Sequence, residues 1–158
     1  MTDSSKPNFV FLFADQLQAF ALGCMGNEHI HTPNLDALAA DGVLFRNAYS
    51  DSPVCTPYRG CLVTGLYPSQ SGIRTNSDAI PEGEHCIGHS LNDAGYATSY
   101  VGKWHLGGAG NRPIAPDNRG GFRHFLGYQC YNSFIDNVCF YEPGVRSALR
   151  SRRTARPG

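Results

Sequence analysis

The sequence predicts an α/β fold with a mostly parallel central sheet, and three observations carry that expectation. Residues 9–14, Phe-Val-Phe-Leu-Phe-Ala, form an unbroken apolar run without the alternation of a half-exposed strand, which suits a parallel strand covered on both faces. A helix with clear start and stop signals follows at 32–42 and leads straight into a second apolar segment. The same helix-then-strand order returns across 86–101, as expected of layered α/β architecture.

The first strand ends at Asp15. Ligands of open α/β sheets sit beyond the carboxyl ends of strands, so an acid there is placed for chemistry; it equally suits a turn or a cap. In the next element Thr32 serves as N-cap, Pro33 as first helical residue and Gly42 as stop, with Leu35, Leu38 and Ala39 on one face. Residues 43–49 then read as a strand. A second helix is expected from Pro57 to Leu66, capped by Thr56, with Arg59, Leu62, Val63 and Leu66 on one side. A third covers about 86–93 and stops at Gly95, and residues 97–101 follow as a strand. Past Gly102 the chain is loop-rich, and the spacing of Phe122, Phe125, Leu126 and Tyr128 selects no element.

The 158 residues suffice for one ordinary domain or a piece of a larger one. Charged residues are only 16% and hydrophobic ones 41%, which argues against disorder. The formal charge of zero is uneven. Arg146, Arg150, Arg152, Arg153 and Arg156 crowd the last segment, leaving 8 basic and 13 acidic side chains before it. That body offers no nucleic-acid-binding face. No apolar run approaches membrane-spanning length and no export signal is evident, so the expected location is cytoplasmic, with no membrane partner. Six cysteines without a Cys-x-x-Cys pair, in a reducing compartment, are expected mostly as small buried hydrophobes.

Two segments hold residues suited to chemistry. Cys55-Thr56-Pro57-Tyr58-Arg59 precedes or opens the second helix, where unpaired N–H groups and the positive dipole end attract anions. A cysteine there, with Arg59 near, has its pKa depressed. Activated nucleophile, anion site and buried structural thiol all remain open roles. Gly102-Lys103-Trp104-His105 closes the 97–101 strand. If the extended conformation persists, Lys103 and His105 face one way and Trp104 the other, which suits an anionic substrate. An exposed lysine and a satisfied histidine beside a buried tryptophan is the plainer alternative. His29 and His31 read as surface loop residues. His85 and His89, four apart, permit a metal pair but better fit a solvated face.

Together these stretches resemble the sulfatase family of the alkaline-phosphatase-like superfamily. The likeness begins with Pro7-Asn8 and the apolar run to Asp15-Gln16, and continues through Gly23-Cys24-Met25-Gly26 and Thr32-Pro33-Asn34-Leu35-Asp36-Ala37-Leu38-Ala39. It extends through Cys55-Thr56-Pro57-Tyr58-Arg59-Gly60-Cys61-Leu62-Val63-Thr64-Gly65, Gly95-Tyr96-Ala97-Thr98 and Gly102-Lys103-Trp104-His105-Leu106-Gly107. It covers roughly residues 7–142. The Cys-x-Pro-x-Arg pattern followed by Leu-x-Thr-Gly is its most specific part.

The resemblance implies the N-terminal portion of a three-layer alkaline-phosphatase-like fold. It implies that a formylglycine-generating enzyme oxidises Cys55 to formylglycine, whose hydrate attacks the sulfur of a sulfate ester. Arg59 steadies that hydrate, and Lys103 and His105 bind sulfate and the hydrate oxygen. Asp15, Gln16 and the modified Cys55 hold a divalent metal, usually calcium. Arg74 and Asn76 fall where the family places pocket loops and are taken as substrate contacts. The substrate is then a sulfate ester, either a small molecule or a sulfated carbohydrate.

The chain departs from the family at three points. Asp15-Gln16 stands where many members have two aspartates, and Tyr58 replaces a small residue while Leu66 replaces an arginine. The later metal ligands, lysine and histidine of longer members lie beyond its length. From about residue 143 the composition shifts to Arg, Ser, Ala, Pro and Gly, resembling out-of-frame translation. The expectation is therefore a truncated N-terminal region at 1–142, inactive alone, followed by a basic tail at 143–158. The competing classes are a phosphodiesterase or phosphonate monoester hydrolase of the same superfamily, and a non-catalytic anion- or metal-binding module.

Overall fold

A computed structural model describes residues 6–110 and 112–130. The basic tail lies outside the described residues. The chain divides into two compact units, residues 1–49 and 50–158.

In the first unit, helix α1 spans Pro33–Asp41, with Thr32 at the N-cap position and Pro33 in the first turn as expected. The Thr32 hydroxyl does not cap its own helix. It accepts the Gly23 N–H at 2.8 Å and donates to Asp36 Oδ1 at 2.9 Å, while Asp36 Oδ1 also takes the Cys24 N–H at 2.7 Å. These bonds tie the short 3₁₀ turn Gly23–Met25 to α1. A Cβ at Gly23 would lie 2.6 Å from Asp36 Oδ2, so the knot closes only around glycine. The helix ends at Gly42 with φ −120°, not in the left-handed cap that its glycine suggests.

Two expected strands of this unit do not form. Residues 9–14 have no strand assignment, and Val10 is 91% exposed; residues 43–49 likewise lack one, and Phe45 is exposed. A strand is defined by its ladder, and no second strand stands among the described residues of this unit to provide one. Apolar character alone does not make a strand. The stripe of α1 is exposed too, at Leu35 and Leu38.

The second unit holds the core. Helix α2, Cys55–Thr64, begins two residues earlier than expected, so Cys55 is its first residue and Thr56 its buried second. Pro57 falls inside the first turn, where a missing N–H costs nothing. Gly65, at φ 72°, ends the helix and donates to Cys61 O at 2.8 Å. A short helix, α3, spans Pro68–Ser71, and α4 spans Ile87–Asp93 behind the N-cap residue Cys86.

Strands β1, Ser99–Lys103, and β2, His124–Tyr128, pair in parallel with Tyr100 opposite Phe125. The parallel sheet thus exists, but between a strand displaced by two residues from its expected start and one that the sequence pattern did not select. Tyr100 and Phe125 stack at 5.4 Å and 13°, and Trp104 meets both edge-on at 4.9 and 5.4 Å. Around them pack Val63, Ile73, Ile80, Cys86, Leu106 and Ile114. No described helix is long and apolar enough to cross a membrane.

The contact of α2 with this core is tight. A Cβ on Gly60 would lie 2.9 Å from Ile73 Cδ1 and 3.1 Å from Cγ2, and Ile73 is fully buried. Gly60→Ala gains about 1 kcal/mol of helix propensity but overpacks at a cost of about 1–3 kcal/mol. Net destabilisation in urea unfolding is expected, and Ile73→Val in the same chain is expected to recover part of it.

Candidate active site

The sequence-predicted residues of the second unit converge on the first turn of α2 and the chain just past β1. Lys103 is the last residue of β1 and half-buried; Trp104, His105 and Leu106 after it are buried. This segment is held from three sides. Trp104 N donates to Tyr128 O at 2.7 Å, extending the link to β2. Ile80 N donates to Leu106 O at 3.0 Å, beside a bridge between Ala79 and Gly107. On the third side, Thr56 Oγ1 donates to His105 O at 2.8 Å and Arg59 Nη1 to Lys103 O at 2.5 Å. Tyr100 donates its hydroxyl to the same Lys103 carbonyl, and Arg59 Nη1 lies 3.4 Å from that hydroxyl. Cys55 is half-buried, one residue from the Thr56 clamp.

The extended conformation does not persist past β1. His105 has φ 55°, a left-handed conformation in a non-glycine residue. The expected split, Lys103 and His105 on one face and Trp104 on the other, therefore gives way to three consecutive buried residues. Among the described residues, the two non-glycine residues with positive φ are His105 and Gln16. Each such conformation costs roughly 1–2 kcal/mol, and strain of this kind gathers at functional sites.

Asp15 and Gln16 are exposed in a turn of the first unit. Calcium takes about six to eight oxygen ligands, and no group of three His, Cys, Asp or Glu side chains able to hold a metal occurs among the described residues. Asp15 and Gln16 alone offer fewer side-chain oxygens than such a shell takes. Position 55 is the first residue of α2. It opens a helix whose next residue is locked by side-chain and backbone bonds, so its Cβ starts from fixed backbone.

The pocket-loop pair divides. Arg74 is exposed, and its backbone N–H, like that of Thr75, donates to Asp78 Oδ2, at 2.8 and 2.6 Å. Asn76 Oδ1 accepts the Thr56 N–H at 3.0 Å, which draws it to the first turn of α2. His29 and His31 are exposed loop residues. The rings of His85 and His89 lie 5.3 Å apart, and His89 Nδ1 accepts the Cys86 N–H at 3.0 Å, while a His85 ring nitrogen lies 2.9 Å from the Ser90 hydroxyl. An open concavity in the first unit, lined by Gly23, Cys24, Asp36, Ala39 and Leu44 among others, contains none of the predicted residues.

Three contributors had no signal in the sequence. Thr56 reads as a cap but donates across the fold. Tyr100 looks like one more strand aromatic. Gln129, 3% exposed, clamps the loop after His105: its Oε1 accepts Gly107 N–H at 3.0 Å and its Nε2 donates to Gly108 O at 2.5 Å.

The first turn of α2, which begins at Cys55, is thus bonded to the backbone of the segment that carries Lys103 and His105. The family model described as Sulfatase matches residues 7–149. The ulvan-active sulfatase of Formosa agariphila is 40% identical over 133 residues, covering 84% of this chain and 26% of that protein. The crystal structure of YidJ, a Bacteroides fragilis protein described as a sulfatase, superposes with a TM-score of 0.76 at 32% identity, over 91% of this chain and 35% of that one. BT4656, solved with its substrate D-glucosamine-2-N,6-O-disulfate, superposes with a TM-score of 0.65 at 31% identity, over 76% and 23%. The chain belongs to the sulfatase family and carries part of the alkaline-phosphatase-like α/β fold. It spans about a quarter of the length of the curated relative.

Asp78 sets up a pH test of the loop that carries Asn76. The Thr75 and Arg74 amides hold its carboxyl below the usual carboxylate range. A lowered folded pKa means stability present above the unfolded value of about 3.9 and lost as pH falls through the folded one. Hydrogen-exchange protection of the Arg74 and Thr75 amides is expected to hold at neutral pH and to fall once pH drops below about 4. Asp78→Asn is expected to weaken it at neutral pH and to remove most of its fall below about 4.

Proposed function

We propose that this chain carries the nucleophile and sulfate-binding part of a sulfuric ester hydrolase. One observation supports the reading above others: the first turn of α2, beginning at Cys55, is bonded to the carbonyls of Lys103 and His105. That contact supports the reading because it joins the chain segments that carry Cys55, Arg59, Lys103 and His105, the residue types a sulfate anion and its nucleophile require.

Cys55 is the residue for conversion to formylglycine by a formylglycine-generating enzyme, and the hydrated aldehyde supplies a hydroxyl that attacks sulfur and a second that lets sulfate leave. A plain thiol has no such second hydroxyl. Arg59, buried and anchored on Lys103 O, has five N–H donors in a fixed plane, enough to hold the strand end and face a site oxygen together. Lys103 and His105 bind the sulfate and the hydrate oxygen. Arg74, exposed beside this region's loop, is a substrate contact. Asp15 and Gln16 contribute oxygen donors to a divalent cation. A sulfated carbohydrate is the substrate class best supported, since one relative is named for ulvan and another was solved with a disulfated glucosamine.

Two measurements test this. In chain co-expressed with the modifying enzyme, the peptide containing Cys55 is expected to resist thiol alkylation and to react with an aldehyde-specific hydrazide. In a full-length version of the enzyme, turnover of an aryl sulfate is expected to exceed that of aryl phosphate and phosphonate esters, and Cys55→Ala should lower it by more than about a thousandfold. Faster phosphonate turnover would move the assignment to a phosphonate hydrolase. A fully alkylated thiol with undiminished turnover would remove Cys55 from the chemistry.

A further inference from the structure

We infer that Asn76 is a positioning residue: its side-chain oxygen caps α2 from 20 residues away and fixes the first turn, Cys55 included, beside residues 103–105. The helix lacks a local cap. Its N-cap residue is Val54, whose side chain has no acceptor. Tyr58 N is the first amide of the helix to reach a carbonyl, Val54 O at 2.9 Å. Pro57 has no N–H, so the amides of Cys55 and Thr56 are the ones that need outside acceptors. Asn76 meets the second of them. The donor is a backbone N–H, so the amide oxygen, not the amide nitrogen, must face the helix.

The loop delivering Asn76 is itself built to hold it. Ile73 before it and Ile80 after it are both core residues. Between them, Asp78 takes two backbone amides and Thr75 Oγ1 accepts the Ser77 N–H at 3.3 Å. Ile80 is tied in turn to Leu106, next to His105. Asn76 therefore joins the strand-end segment to the helix start by a route separate from the Thr56–His105 bond. A side chain whose oxygen is committed in this way orients the nucleophile's helix, where the sequence pattern had suggested substrate contact.

The inference rests on Cys55 as the nucleophile for its meaning in catalysis, but its test does not. Residue-resolved hydrogen exchange is run on the full chain with Cys55 left as a thiol, together with its alkylation rate by iodoacetamide. Asn76→Ala is expected to speed Thr56 amide exchange about fivefold, to change the Cys55 alkylation rate, and to leave the Gly107 amide unchanged. Asn76→Asp, which keeps the acceptor, is expected to restore Thr56 protection. Gln129→Ala, breaking a different side chain–backbone clamp in the same unit, is expected to speed Gly107 and not Thr56.

Unchanged Thr56 exchange in Asn76→Ala would overturn the inference, as would a uniform rise across the whole unit. If the alanine variant does not fold, Asn76→Ser supplies a shorter acceptor and is expected to exchange faster than wild type at Thr56; wild-type exchange there would overturn the inference equally. In aryl sulfate turnover by a full-length version of the enzyme, Asn76→Ala is expected to lower kcat with KM little changed. A raised KM with kcat intact would mark a substrate contact and overturn the inference. Failure of the sulfatase reading would appear separately, as an unconverted thiol at Cys55 in chain co-expressed with the modifying enzyme, without moving the exchange result.

Discussion

Two backbone carbonyls, those of Lys103 and His105, are the points on which the second unit turns. Each accepts a side-chain hydrogen bond from α2, across sequence separations of 44 and 49 residues. Strand carbonyls ordinarily bond to a neighbouring strand. Here the left-handed turn at His105 ends the strand and leaves them aimed at a helix. A buried carbonyl deprived of its donor costs about 1–3 kcal/mol, so Thr56 and Arg59 are held to their roles by the strand as firmly as they hold it. Trp104, between the two carbonyls, plants the same segment in the aromatic core. The helix start and the strand end are thereby one rigid piece, with Cys55, Lys103 and His105 on it.

That piece was only partly legible in the sequence. Helices α1, α2 and α4 were, because Pro33, Pro57 and the glycines at 65 and 95 act through local backbone chemistry, which a sequence displays, whereas α3 was not anticipated. The error at α2 is instructive: Thr56 reads as a cap, but its hydroxyl is drawn to His105 O and the helix extends back to Cys55. The strands fared worse. Residues 9–14 and 43–49 have strand-like composition without a ladder in their unit, while β2 contains His124 and Gly127 and shows little period, yet pairs along its whole length with β1. Strand identity depends on neighbours far along the chain, and a single sequence does not display them.

The site divided in the same way. Cys55, Arg59, Lys103 and His105 belong to compact motifs, and the structure gathers the segments that carry them. Asn76 and Tyr100 work through contacts that no spacing encodes. The cysteines show how place sets chemistry. Burial, with Asp51 beside it, pushes the Cys61 thiol up to about 11, and burial with Glu84 near does the same to Cys86. Raised so far, these two thiols stay protonated at neutral pH and behave as small apolar side chains. Cys61 lies in the same helix as Cys55, so helix membership alone confers no reactivity.

The left-handed residues at Gln16 and His105 carry a lesson for anyone redesigning this scaffold. Glycine relaxes that backbone geometry, and asparagine tolerates it better than most residues. A procedure that rewards folding energy alone would replace both positions early and report an improvement. It would do so at the two places, among the described residues, where a residue other than glycine keeps a positive φ. Sites of this kind are best recognised by what an optimiser wants to delete, and a list of its preferred replacements, read backwards, becomes a map of function.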